Sequence, residues 1–497
     1  MTRAGYMAGV EWLWASDYWL SRLVFQRGLA VVYLVAFLAA LNQFRALIGE
    51  RGLLPAPAYL RATRVRASPS LFHLRYSDRL FAVVAVIGAL VSATHLVGLW
   101  DGAPLGLHMA SWALLWVLYV SIVNIGQTWY AFGWELLLCE AGFLAIFLGN
   151  DHATPPTLIL LALIWVLFRL EFGAGLIKMR GDTCWRDLTC LYYHHETQPM
   201  PGPLSWYFHC LPKSLHKAEA AANHVTQLVV PFLLFAPQPV RGAAAIAVIL
   251  TQLWLVLSGN FAWLNAMAIV IATSALGNGL VGAVLPVAAP VDTPEPGWFQ
   301  GAAIIIAGLI AVLSYWPVRN LIGSRQLMNH SFTPIHLVNS YGAFGTVTKV
   351  RHEVVIEGTR AERADDPAAG WREYEFKGKP GDVTRRPPQV APYHLRLDWL
   401  MWFAALSRGY GRTWFHTLLD RLLANDRSSL KLLRTNPFPD GPPTHVRARF
   451  YHYRFTTWAE RRETGHWWHR TLVGEYAPPR RAPDRQRVDD ARLPNGH

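Results

Sequence analysis

TLILLALIWVLFRLEFGAGLIKM, residues Thr157–Met179, decides the fold class. A helix rises 1.5 Å per residue, so about 20 mostly apolar residues cross the roughly 30 Å hydrocarbon layer of a bilayer. This run is long enough and reads as a membrane span. It also carries Arg169, Glu171 and Lys178. A charge at the middle of a span costs about 2.5–3.5 kcal/mol on insertion scales, so each needs a partner or a task.

Working outward, similar runs lie at about 28–48, 80–100, 105–125, 129–148, 224–236, 242–258, 263–285 and 300–322. The expected architecture is a polytopic α-helical membrane protein of about nine spans. Residues 28–324 form its membrane domain, with two long loops, 49–79 and 180–223. Composition agrees: 52% of the 497 residues are hydrophobic and only 16% are charged. That excludes a disordered chain, a coiled coil and an ordinary soluble enzyme. Residues 1–27 carry Trp12, Trp14, Tyr18, Trp19 and Phe25 with Arg22 and Arg27, and read as an interfacial segment or as an extension of the first span. Glu11 and Asp17 precede the first apolar run and no small-residue cleavage site follows it, so no cleavable signal peptide is expected.

The charge is unevenly placed. From Arg325 to the end there are 28 Lys/Arg against 18 Asp/Glu, and before it 18 against 15. Residues 325–476 read as a C-terminal α+β, β-rich soluble domain. Strands are expected at 352–357, 371–376 and 446–455, and helices at 395–406 and 413–425. Residues 477–497, rich in Pro, Arg and Asp, read as a disordered tail. With nine spans, parity places both long loops and this domain on one side of the membrane.

The intramembrane charges Arg45, Glu135, Glu140 and Arg169 have a structural reading, pairing of either glutamate with Arg169 or Arg45, and a functional one, a buried polar site. Glu171 and Lys178 are seven apart and share a helix face. As the alternative to a base, Lys178 snorkels to the headgroups. Cys184 and Cys190 do not form C-x-x-C, so thioredoxin-like chemistry is not indicated. They are either a disulfide in an oxidising compartment or buried free thiols. The spacing of His194, His195, His209 and His216 matches no standard zinc site, and neither a metal nor another cofactor is expected. No Gly-x-Ser-x-Gly marks a hydrolase, and no RNA-binding motif accompanies the basic strands, so nucleic acid is not an expected partner. Membrane lipids are.

The segment Phe172-Gly-Ala-Gly-Leu-Ile-Lys178-Met-Arg-Gly-Asp-Thr-Cys184-Trp185-Arg186-Asp187-Leu-Thr-Cys190, continuing to His194-His195-Glu196-Thr197-Gln198-Pro199, resembles the lipase maturation factor family. Ser258-Gly259-Asn260 agrees. So do Val338-Asn339-Ser340-Tyr341-Gly342, Tyr374-Glu375-Phe376, Lys379-Pro380-Gly381-Asp382, Arg385-Arg386-Pro387 and Tyr393–Phe403, which contains Asp398 and Trp399. The resemblance implies a chaperone-like membrane protein that helps exported lipases reach an active fold. Its client-facing parts would be the cysteine-bearing loop and the C-terminal domain, with Trp185, Arg186 and Asp187 as a contact knuckle. The family topology puts that domain on the extracytoplasmic side, whereas Arg61, Arg64 and Arg66 point their loop to the cytoplasm by the positive-inside rule. The family pattern has cysteines flanking the Lys379–Asp382 segment, and here Gly378 and Pro388 stand there. That departure favours a bacterial-type plasma membrane and a client that need not be a lipase. The first half also resembles the membrane domain of vitamin K-dependent carboxylases in Ala174-Gly175, Lys178 and Trp185. This second resemblance implies an enzyme acting on a lipid-accessible substrate, with Lys178 as catalytic base beside Glu171.

Overall fold

A computed structural model describes residues 11–287 and 296–481. Long helices fill the first part: α1 (Trp19–Leu47), α2 (Asp78–Leu96), α3 (Leu105–Ile125), α4 (Gly133–Ala145), α5 (Thr157–Arg180), α6 (Lys213–Leu228), α7 (Val240–Ser258), α8 (Leu264–Thr273) and α9 (Gly297–Leu313). Several start where the sequence provides a start signal. Pro104, Pro156, Pro212 and Pro296 immediately precede α3, α5, α6 and α9. The Ser77 hydroxyl accepts from Leu80 N–H at the head of α2. Proline costs a helix nothing there, because the first N–H groups have no partner in the helix.

Among the described residues, six segments are long and apolar enough to cross a membrane: Ser16–Leu47, Asp78–Leu96, Leu105–Ile125, Thr157–Arg180, Val240–Ser258 and Gly297–Ile322. The other three expected spans are shorter. α4 has 13 residues and α8 has 10, while α6 breaks before Pro231 and resumes only as Val230–Leu233. Proline and glycine interrupt these runs, which apolar content alone does not register. α1 begins at Trp19, inside the segment expected to lie in the interface, and Arg22 is buried in it.

The C-terminal part is a five-stranded antiparallel sheet of order β3-β2-β1-β4-β5. The strands are β1 (Arg351–Thr359), β2 (Arg372–Phe376), β3 (Leu433–Thr435), β4 (His445–Phe455) and β5 (Trp468–Arg481). Helix α10 (Arg396–Leu406) packs on β1 and α11 (Phe415–Leu423) on β4. The α+β expectation and three of the strands are found where the alternation placed them. β5 runs to Arg481, into the stretch expected as a tail, because it pairs with β4 as far as His445. Residues 482–497 lie outside the described residues. Both long loops touch the C-terminal part: Arg421 donates to Arg51 O at 2.6 Å, and Arg351 donates to Glu196 O at 2.9 Å.

Candidate functional site

Two glutamates of α4 point into the bundle and find partners far along the chain. Glu140 pairs with Arg169 of α5, both nearly fully buried. Glu140 Oε2 also accepts from Asn339 N–H at 3.0 Å, Asn339 Nδ2 at 2.9 Å and the Tyr341 hydroxyl at 2.7 Å. Arg169 Nη1 donates to Asn339 O at 2.5 Å. The Asn-Ser-Tyr-Gly motif therefore completes an ion pair inside the membrane domain. Gly173 makes room for it, since a Cβ there would collide with Tyr341 O. Gly342 packs beside Ile177 and Gly173 of the same helix.

Glu135 does not pair with Arg169 or Arg45. Arg45 lies exposed in the last turn of α1. Glu135 instead meets Arg396 of the C-terminal domain at 2.6 Å, with both side chains 0% exposed. The Tyr119 hydroxyl donates to the same carboxylate. Arg396 Nη1 also donates to Trp129 O at 2.7 Å, and its guanidinium lies 3.5 Å from the Tyr130 ring centroid. Gln43 of α1 clamps the neighbouring backbone, donating to His394 O at 2.7 Å and accepting from Arg396 N–H at 3.0 Å. A guanidinium suits such a site: it is planar, holds its charge at any working pH and stacks on aromatic faces.

A third contact joins the 180–223 loop to the sheet. Arg351 donates to the carbonyls of Glu196, Gln198 and Pro199 at 2.9, 2.5 and 3.1 Å. Glu353, bound to Arg351 at 2.6 Å, sits 2.8 Å from Lys379. Asp398 accepts the N–H groups of Gly378 and Lys379 at 2.6 and 3.2 Å, fixing the Lys-Pro-Gly-Asp turn. Arg385 bonds the Phe376 and Lys377 carbonyls, while Asp382 holds Thr384. Tyr374 and Trp399 are core residues. Gln198 donates to Ser258 O, and Asn260, 0% exposed, bridges Pro201, Pro388, Val390 and Ala391.

Cys184 and Cys190 are disulfide-bonded, with Cα atoms 4.8 Å apart. The short loop they close turns Trp185 inward, 3% exposed, where its indole N–H donates to Phe344 O and its ring receives Lys178 Nζ at 4.8 Å. Arg186 and Asp187 alone of the expected knuckle face solvent. Lys178 does not snorkel. It donates to Asn223 at 2.7 Å and to Gln227 at 2.8 Å. Gln227 and Gln252 both donate to Glu171, at 3.3 and 2.6 Å, and Asn265 donates to Gln252 at 2.7 Å. Lys178 and Glu171 thus belong to one hydrogen-bonded chain through α5, α6, α7 and α8. With its partners satisfied, this chain reads as cross-bracing of the four helices.

His194, His195, Glu196 and His209 cluster where the loop meets β4. Glu196 Oε2 accepts from Phe455 N–H at 2.6 Å, and His209 Nε2 approaches it to 3.7 Å. Burial pushes the Glu196 carboxyl up to about 7, against the pull of the Phe455 N–H and of Arg351 and Arg454. Burial first, then the neighbouring His195 and His216, pushes His209 down to about 4. Among the described residues, no three His, Cys, Asp or Glu side chains are arranged to hold a metal ion. Arg386 is exposed and lies against Tyr207 and Trp467.

Sequence reasoning missed Gln43, Arg351, Glu353, His394 and Arg396 as partners. The available signal was a glutamate in an apolar helix that demands a cation, together with an arginine inside a motif of apolar residues.

The model for the lipase maturation factor transmembrane domain matches residues 20–283, and that for the lipase maturation factor C-terminal domain matches residues 337–478. Lipase maturation factor 1 of Mus musculus is 41% identical, covering 95% of this chain and 89% of its own length. Its Homo sapiens counterpart is 40% identical over 94% of this chain and 89% of its own. Lipase maturation factor 2 of Homo sapiens is 29% identical over 92% of this chain and 82% of its own. No solved structure matches the chain.

Proposed function

The chain belongs to the lipase maturation factor family, and from that premise we propose that it is an integral membrane protein assisting an exported lipase to reach its active fold. The observation that carries this reading is the match of both domains, in order, to proteins named lipase maturation factor 1 over most of their length. The geometry supports a rigid platform. The motif residues Asn339, Tyr341 and Arg396 fix the C-terminal domain to the bundle through buried contacts, while Lys379 and Asp398 brace that domain internally, so the client meets surfaces of fixed relative position. Arg186, Asp187 and Arg386 are exposed motif residues and are assigned to that surface. The C-terminal domain is assigned to the extracytoplasmic side, where a Cys184–Cys190 disulfide persists. The short helices α4, α6 and α8 complete nine crossings in this reading. A bacterial-type plasma membrane rests on Gly378 and Pro388 alone, since the relatives come from animals.

The test is deletion of the gene in its own cell, followed by the specific activity (activity per unit mass) of each exported lipase. At least one lipase is expected to be exported inactive and to be rescued by the wild-type chain, and by Lys178→Met provided that variant folds. If every exported lipase keeps full specific activity, the reading fails. If the folded Lys178→Met protein alone does not rescue, Lys178 has a chemical task that its hydrogen bonds do not account for.

A further inference from the structure

A cavity of about 720 Å³ opens on the side of the bundle remote from the C-terminal domain. It falls within the range of about 300–1,000 Å³ usual for small-molecule sites. Its walls are apolar: Trp19, Leu23, Val24 and Val31 of α1 face Leu96 and Leu285. Val31 and Leu285 are exposed on the outer surface, so the opening is toward hydrocarbon. One end is charged, with Arg27, Asp101 and Asp151. Arg27 lies sixteen residues before Gln43, about 24 Å along α1, and Gln43 binds the C-terminal domain at His394. The charged end therefore sits toward the opposite leaflet.

The charges form two pairs within the protein that stay partly open. Arg27 pairs with Asp101 and donates to His95 O at 2.7 Å, yet its side chain stays 24% exposed. Asp151 is 34% exposed, and Arg22, its nearest cation, stands 3.8 Å away. Arg22 is itself turned inward, donating to Ala153 O. The mouth thus offers one partly open guanidinium and one partly open carboxylate.

We propose that this cavity binds one amine-bearing phospholipid of the distal leaflet, its phosphate on Arg27, its primary ammonium on Asp151 and Asp101, and an acyl chain along α1. Phosphatidylethanolamine meets these demands. Phosphatidylcholine presents the cation without hydrogen-bond donors, and phosphatidylglycerol brings no cation for the carboxylates. Charge-assisted hydrogen bonds are the stronger ones and fix orientation, so discrimination should reside at Asp151. The site is independent of any client and bears on how the bundle is seated.

The test uses the full chain in detergent, exposed to mixed micelles with equal amounts of phosphatidylethanolamine, phosphatidylcholine and phosphatidylglycerol, and read by native mass spectrometry. The wild type should retain one phosphatidylethanolamine about tenfold over either competitor. Asp151→Asn should bring phosphatidylethanolamine and phosphatidylcholine to parity. Val31→Trp, which fills the cavity from its exposed rim, should abolish retention with an unchanged unfolding midpoint. If Val31→Trp unfolds, Leu23→Phe takes its place. Retention of phosphatidylglycerol or phosphatidylcholine over phosphatidylethanolamine overturns the proposal. So does no retained lipid, or unchanged retention in both variants.

Discussion

Replacing Arg396 with methionine tests whether the C-terminal domain is anchored by its charge. The substitution keeps an apolar stem of similar length and removes the guanidinium. Glu135 is left 0% exposed, with the Tyr119 hydroxyl as its hydrogen-bond donor and His394 at 3.7 Å. Removing one partner of a buried ion pair costs about 3–5 kcal/mol, mostly from the charge left without compensation. The Trp129 carbonyl loses its donor at the same time, but these losses share one site and do not add. Against a typical domain stability of about 5–15 kcal/mol, the expected loss is about a fifth of the total or more. Tryptophan fluorescence during denaturant unfolding of the detergent-solubilised chain measures it, and trypsin digestion reports release of the C-terminal part. Adding Glu135→Gln should recover at least half the loss, because glutamine still accepts the Tyr119 hydroxyl without carrying a charge. If Arg396→Met unfolds within about 1 kcal/mol of wild type, or if the double variant is weaker than either single one, electrostatic anchoring is refuted.

Gly173→Ala should cost about 1–3 kcal/mol, the usual range for overpacking, because its Cβ meets a backbone carbonyl that cannot move aside; faster proteolysis between residues 325 and 345 should accompany it. Glu196 titrates in the fold near 7 rather than near its ordinary value, so its contribution is complete at pH 4 and is lost as pH rises through 7. His209 acts the other way: its contribution is complete above its ordinary value and is lost as pH falls toward 4. Glu196→Gln should therefore match wild type at pH 4 and exceed it at pH 8, by an upper bound of roughly 3 kcal/mol; equal pH dependence of the two unfolding midpoints would remove the argument. Alkylation of the unfolded chain should modify only Cys139 and Cys210 without reductant and all four cysteines with it, as counted by intact mass.

Local signals were readable. Thr157 to Arg180 is a helix because its apolar run is unbroken, and β4 follows a period of two. Long-range pairing was not readable. Arg169 for Glu140 could be guessed because both lie in the apolar part. Arg396 for Glu135 could not, because charge segregation along the chain suggested two separable parts and the partner lies in the other one. The same assumption made Trp185 an outward knuckle. Only the structure turns it inward onto Lys178 and Phe344, leaving Arg186 and Asp187 outside. The shortness of α4, α6 and α8 was not readable because hydropathy counts apolar residues and not helical turns.

Helix α4 carries Glu135 and Glu140, whose partners Asn339 and Arg396 follow some two hundred or more residues later. At synthesis rates of about 5–20 residues per second, Glu135 waits roughly 13–52 s for its guanidinium. During that interval a short helix with one carboxylate still lacking its cation is a poor tenant of hydrocarbon. The membrane part of this protein therefore reaches its final packing only when the end of its own chain has been translated. Truncations that spare every span should still leave α4 exposed to cellular quality control.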